Sequence, residues 1–200
     1  MIDSTKPIDG ATPLDDISGL KLSKYKVYTL KEIYEKEAQN IANATLKYLA
    51  APPSKKEAPF SYVWMLDLHE EMFGDVWEWA GKLRKVELSI GIKAYLVGME
   101  LKKLCDDIEY WEKHKTYDVF ELAARIHHRA VQIHPFQNGN GRWSRMLANI
   151  YLRQHAHMPV RWQEDLLASE NPKRSEYIEA LKKADNGDFK ALIEMHKVTY

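Results

Sequence analysis

Residues 134–145 read His-Pro-Phe-Gln-Asn-Gly-Asn-Gly-Arg-Trp-Ser-Arg, and this run constrains the chain more than any other stretch. The sequence before it, from Asp118 to Ile133, brings Val119, Phe120, Ala123, Ile126, Ala130 and Ile133 round at three- and four-residue steps. That is an amphipathic helix, with Asp118 as its N-cap. Pro135 biases His134 away from helical dihedrals, so the helix must end there. Helical spacing resumes from Arg142 to His155 through Met146, Leu147, Ile150 and Tyr151. The unit is a helix, a glycine-rich loop and a second helix whose N-terminus receives the loop. Histidine exchanges protons near neutral pH. Small residues around Asn140 let backbone N–H groups approach an anion, and a helix N-terminus adds positive potential. Arg142 and Arg145, at i and i+3, share a face there and offer forked donors suited to phosphate oxygens. A base, an anion cradle and two cations within a dozen residues point to phosphate transfer.

Asn138-Gly139 and Asn140-Gly141 are also turn dipeptides of the kind that close hairpins. A turn alone requires neither the histidine nor the arginine spacing. The run is not a Walker loop, because the Gly-Lys-Ser/Thr ending is missing.

The remaining chain reads as mainly helical. Residues 1–24 are rich in Gly, Pro, Asp and Ser and are expected as an irregular arm, with one domain over 25–200. Thr29 to Glu32 fits a capping box, and a helical stripe then runs through Leu30, Ile33, Tyr34, Ile41, Tyr48 and Leu49. Ser61 caps a helix expected to reach about Trp79 and to end at Gly81. Val86, Leu88, Ile90 and Ile92 alternate strictly, broken by Gly91, which predicts a β-hairpin. Met99 to His114 is helical again, a late helix opens at Asn171-Pro172, and Asp188 to Lys197 supplies the last.

Composition limits the function classes. Lys plus Arg and Asp plus Glu are both 29, which argues against nonspecific nucleic-acid binding through a broad basic face. No apolar run spans a membrane and no signal-peptide core is visible, so cytoplasmic residence is the default expectation. The single cysteine, Cys105, lies on an apolar helical face with Leu101, Leu104 and Ile108 and reads as a buried, inert thiol. His127 and His128 point about 100° apart on their helix and make a poor metal pair. His127 is expected to pack and His128 to face solvent. His155 and His157 fit compensation of a helix C-terminus. Trp64, Trp77, Trp79 and Trp111 read as core, and Trp143 as a candidate wall of the nucleotide site.

The 134–145 run resembles the signature of the Fic family, His-Pro-Phe-x-Asp/Glu-Gly-Asn-Gly-Arg-x-x-Arg, at every fixed position except the acidic one. Val76 to Arg84 is similar to the family's segment leading into its target-docking hairpin, and Tyr177 to Asp188 resembles the helix pair that closes these domains. Gly10 to Leu14 is similar to a bacterial subgroup called mobile mystery protein B. The resemblance covers about residues 25–198 and implies a mainly α Fic-type bundle with one small β-hairpin.

It further implies transfer of AMP from ATP to a Ser, Thr or Tyr hydroxyl of a target protein, with release of pyrophosphate. His134 would be the general base, while Gly139, Asn140 and Gly141 form the anion hole. Arg142 would hold the β-phosphate and Arg145 the γ-phosphate, with Phe136 anchoring the loop in the core. Leu88, Ser89, Ile90, Gly91, Ile92 and Lys93 would form the flap that aligns an extended target loop. Asn138 stands where the family has the Asp or Glu that helps hold Mg²⁺. Its amide oxygen can ligate the ion but brings no charge. That departure leaves open another nucleotide or phosphoryl donor, AMP removal, or a silent nucleotide- or peptide-binding module. The family's inhibitory motif, Ser/Thr-x-x-x-Glu-Gly/Asn, has no strict match. Ser175 to Ala180 has the spacing but not the ending, and Glu35 and Glu37 are carboxylates without the motif. Control by a separate antitoxin-like inhibitor stays open, as does a homo-oligomer.

Overall fold

A computed structural model describes residues 19–21, 29–163 and 171–197 of the chain. Seven α-helices occur among them: α1 Leu30–Leu49, α2 Tyr62–Phe73, α3 Val97–His114, α4 Val119–Ile133, α5 Asn140–Gln154, α6 Pro172–Asp185 and α7 Lys190–Lys197. The predicted start signals act as side-chain caps. Thr29 and Glu32 close a reciprocal capping box, Ser61 accepts from Trp64 N–H, Asp118 from Glu121 N–H and Asn171 from Arg174 N–H.

Helices α4 and α5 form the central pair; α1 and α2 pack together on the α5 side, α3 lies against α4, and α6–α7 close over α4. Leu68, Phe73, Leu104, Ile126, Ile133, Phe136, Trp143 and Leu147 lie in the main core with no more than 2% of their surface exposed. A second cluster joins Ala124 of α4 to Tyr177, Ala180, Leu181 and Leu192. Cys105 is buried at 3.7 Å from the Met65 sulfur, and burial pushes its thiol up to about 12. The expected inertness follows.

Several expectations change. The helix expected to reach Trp79 stops at Phe73, with Gly74 N–H bonded to Glu70 O at 2.6 Å and turns from there to Gly81. Those turns let Trp77 and Trp79 stack on each other, 5.1 Å apart, instead of lying on opposite sides of a helix. Residues 19–21, within the predicted arm, pair with this segment. Leu20 makes an antiparallel bridge with Trp77, and Lys21 N–H donates to Val76 O at 2.8 Å. Gly10 to Leu14 lies outside the described residues. The predicted hairpin forms no strand ladder among the described residues. Its carbonyls are instead taken by a side chain, Arg84, and Ala94 N–H is taken by Glu87 at 3.2 Å. Of the alternating set, Leu88, Ile90 and Ile92 are partly buried, whereas Val86 is 57% exposed. His128, expected at the surface, is only 7% exposed and bonds Asp185 at 2.8 Å. No helix among the described residues is long and apolar enough to cross a membrane.

Candidate active site

The structure gathers the predicted loop residues at the junction of α4 and α5. His134 is the C-cap of α4 in the left-handed region, φ 52°, and only 7% exposed. Burial pushes its pKa down to about 4; the Val131 carbonyl opposes the shift and the Arg84 charge adds to it. The imidazole is therefore neutral at pH 7 and holds a free lone pair. Its Nδ1 is buried without a hydrogen-bond partner of good geometry among the described residues.

The loop is held from inside. Asn140, 2% exposed, accepts from Phe136 N–H at 2.9 Å and donates to Phe136 O at 2.8 Å, which closes the turn. Gly139 adopts φ 77°, and a Cβ there would stand 2.6 Å from the Phe73 ring, so only glycine fits. The first bonded amide of α5 is Trp143 N–H, to Gly139 O at 2.9 Å. The N–H groups of Asn140, Gly141 and Arg142 precede it and make the open donor end that a helix presents to an anion. Asn138 Oδ1 accepts from Gly139 N–H at 2.6 Å, so the side chain in the metal position is already engaged locally.

The two arginines reach toward different helices, α1 and α6. Arg142 donates to Glu37 of α1 at 2.6 Å and lies 4.7 Å over the Phe73 ring. Glu37 is 2% exposed and also accepts from Trp77 Nε1. This carboxylate meets the first motif arginine, whereas Glu35 is exposed beside Lys31. Arg145 is 7% exposed and stands 5.7 Å from the Tyr177 ring on α6. Trp143, the expected nucleotide wall, is instead a core residue with no exposed surface, donating to Met65 O at 3.1 Å. Its position at i+3 from Asn140 turns it inward, away from the donor end. Phe136 is fully buried, as its anchoring role requires.

Two supporting residues escaped the sequence reading. His69 stacks on Phe136 at 3.5 Å, accepts from Gly81 N–H at 3.0 Å and donates to Asn138 O at 3.1 Å. Burial pushes it down to about 3, so it is a neutral strut between α2 and the loop. Arg84 bonds the carbonyls of His134 and Val86 at 2.6 and 3.0 Å, and that of Ile92. The signal available for Arg84 was its place at the end of the Val76–Arg84 segment; His69 had none. The flap residues Leu88 to Lys93 pass beside the base: a Cβ on Gly91, φ 100°, would stand 2.5 Å from His134 Cβ. Behind α4, a row of buried rings has only one set of proton positions. Leu192 O can only accept, so His196 Nδ1 donates to it at 2.7 Å. His127 Nδ1 then donates to His196 Nε2 at 3.2 Å, and Tyr177 donates to His127 Nε2 at 3.0 Å.

On this helical bundle, a buried neutral histidine stands beside an open helix start and two arginines, an arrangement suited to a phosphate ligand. The Fic/DOC family model matches residues 59–152, which include the loop at 134–145 and the segment Leu88 to Lys93, and this part of the chain is a Fic/DOC domain. It is 32% identical over 158 residues to the protein adenylyltransferase fic-1 of Caenorhabditis briggsae, covering 76% of this chain and 29% of that one. It is 28% identical over 155 residues to the protein adenylyltransferase Fic of Aedes aegypti, covering 76% and 30%. The chain thus spans less than a third of these curated relatives. Among solved structures, Fic-1 of C. elegans superposes with TM-score 0.67 at 27% identity, over 90% of this chain and 55% of that one. BepC of Bartonella tribocorum, solved with bound AMPPNP, shares the fold at TM-score 0.62 and 20% identity, over 88% and 90% of the two chains.

Proposed function

We propose that the chain transfers AMP from ATP to a Ser, Thr or Tyr hydroxyl of a target protein. The observation that carries this is His134, neutral and buried within the same loop that presents the open amides of Asn140, Gly141 and Arg142. The acceptor oxygen attacks the α-phosphorus, and its proton passes to the histidine lone pair. The bond from the α-phosphorus to the bridging oxygen breaks, and pyrophosphate leaves. Gly139, Asn140 and Gly141 surround the α- and β-phosphates, while Arg142 and Arg145 take the β- and γ-phosphates. Positioning and charge compensation supply most of the acceleration. The flap Leu88–Lys93 presents the target. The curated relatives' name and the nucleotide bound to BepC support the reading.

The residues at hand do not make a resident metal site. Asn138 offers one neutral oxygen, and no cluster of three His, Cys, Asp or Glu that could hold a metal occurs among the described residues. Mg²⁺ is read as arriving with ATP, as part of the substrate, with Asn138 as its only motif contact. The same engaged amide favours, as a second reading, a donor or phosphoryl chemistry other than the family's. Cytoplasmic residence, an antitoxin-like inhibitor and a homo-oligomer belong to the proposal as well.

Incubation with α-labelled ATP, alone and with lysate, tests it: protein acquires label with the wild type and none with His134→Ala, while that variant still binds AMP-PNP. Label from γ-labelled ATP instead would identify phosphoryl transfer. Asn138→Asp is expected to lower the Mg²⁺ concentration needed for half-maximal transfer by roughly tenfold, the worth of one added carboxylate near the ion. An unchanged metal titration would remove Asn138 from the metal's surroundings.

A further inference from the structure

Arg84 is a buried cation, 5% exposed, whose side-chain hydrogen-bond partners among the described residues are all main-chain carbonyls. Its Nε donates to His134 O at 2.6 Å, and one terminal nitrogen donates to Val86 O at 3.0 Å. The other reaches Ile92 O and, at 3.5 Å, Ile133 O. Its own backbone N–H donates to Pro135 O at 2.9 Å. Ile133 and His134 are the last residues of α4, where carbonyls lack helical partners and the helix end is negative. Val86 precedes the flap and Ile92 lies near its end. One guanidinium therefore ties the backbone that carries the catalytic histidine to both ends of the segment that passes over it. Gly91 shows how close that passage is: its missing Cβ would fall 2.5 Å from His134 Cβ and 3.0 Å from the guanidinium. No strand ladder forms there among the described residues, and the one other tie across the segment, Ala94 N–H to Glu87 at 3.2 Å, does not reach His134.

We propose that Arg84 is a positioning residue for the transfer, holding flap and histidine in one fixed relation, so that a hydroxyl aligned on the flap is delivered to the base. The inference rests on the reading of His134 as base and of the flap as target dock. The role requires a planar fork with several diverging donors; a lysine ammonium can serve only part of the set. The Arg84 hydrogen bonds among the described residues go to His134, Pro135, Ile133, Val86 and Ile92, so it acts on the acceptor side rather than on the nucleotide side.

The test compares wild type, Arg84→Ala and Arg84→Lys in the full chain. Calorimetric binding of AMP-PNP is expected to change by less than about twofold in both variants, because the anion loop keeps its own struts. Label transfer from α-labelled ATP, alone and with lysate, is expected to fall by roughly a hundredfold, a misplacement effect, with the KM for ATP unchanged. Lysine should not rescue it, whereas methylguanidinium added to Arg84→Ala should restore part of the rate. Hydrogen exchange at residues 85–93 should accelerate, and the His134 ring resonance should shift. Full activity in either variant, or equal losses of AMP-PNP binding and transfer, would overturn the proposal. If the wild type transfers no label, the transfer reading fails separately, and exchange and the histidine resonance still decide for or against Arg84.

Discussion

Single residues set the charge state of the site. Arg142 is about a quarter exposed and already holds a carboxylate, Glu37, with which the phosphates of the proposed ATP substrate would compete. Glu37→Gln preserves the shape and a hydrogen bond from Trp77 but removes that competition. Nucleotide binding is expected to tighten roughly fivefold, the value of about 1 kcal/mol for a partly solvated pair. AMP-PNP calorimetry checks it; weaker binding would mean that Glu37 chiefly orients Arg142. The residues with self-contained chemistry were legible in the sequence: His134, Asn140, Arg142 and Arg145 stand together in one run. Those that act through distant backbone were not. His69 reaches Gly81 and Asn138, and Arg84 reaches carbonyls about fifty residues on. Nothing near either residue in sequence marks such partners. Trp143 misled because adjacency to Arg142 in sequence says nothing about which side of a helix a residue takes.

At the level of elements, α2 and the loop at the start of α5 fit each other closely. Phe73, the last residue of α2, stands where a side chain at position 139 would have to go, and the backbone there has positive φ. Gly139→Ala is expected to cost about 1–3 kcal/mol and to weaken AMP-PNP binding together with stability. Urea unfolding and calorimetry on the same variant measure both; a stable, fully binding variant would show that Phe73 can move aside. Helix starts were readable because Thr29, Ser61, Asp118 and Asn171 carry their own acceptors. The end of α2 was not, since the apolar pattern continues through Val76 and Trp77 after the backbone has turned. Around the flap, a two-residue period marked the partly buried Leu88, Ile90 and Ile92 but not the exposed Val86, and it announced pairing wrongly. Arg84 supplies the donors that a neighbouring strand would have offered.

The whole molecule buries an unusual set of neutral histidines. Burial lowers His69 to about 3 and His134 and His196 each to about 4, and it lowers His127 well below its ordinary value of 6.5. A histidine whose folded pKa is depressed binds fewer protons folded than unfolded. Its contribution is full above about pH 6.5 and is lost as pH falls toward the folded value. At pH 5 each of the three with a stated value would cost about 2 kcal/mol relative to pH 7.5. Together that is comparable with the stability of an ordinary domain. Urea midpoints at the two pH values are expected to differ strongly, with the lower at pH 5; equal midpoints would mean that these rings stay paired when protonated. The row from Leu192 through His196 and His127 to Tyr177 has a further property. Leu192 O can only accept, so in the neutral row every hydrogen points the same way, from Tyr177 toward that carbonyl. Burial, the His196 ring and the Arg145 charge all disfavour a proton on His127, so the row stays uncharged beside that arginine.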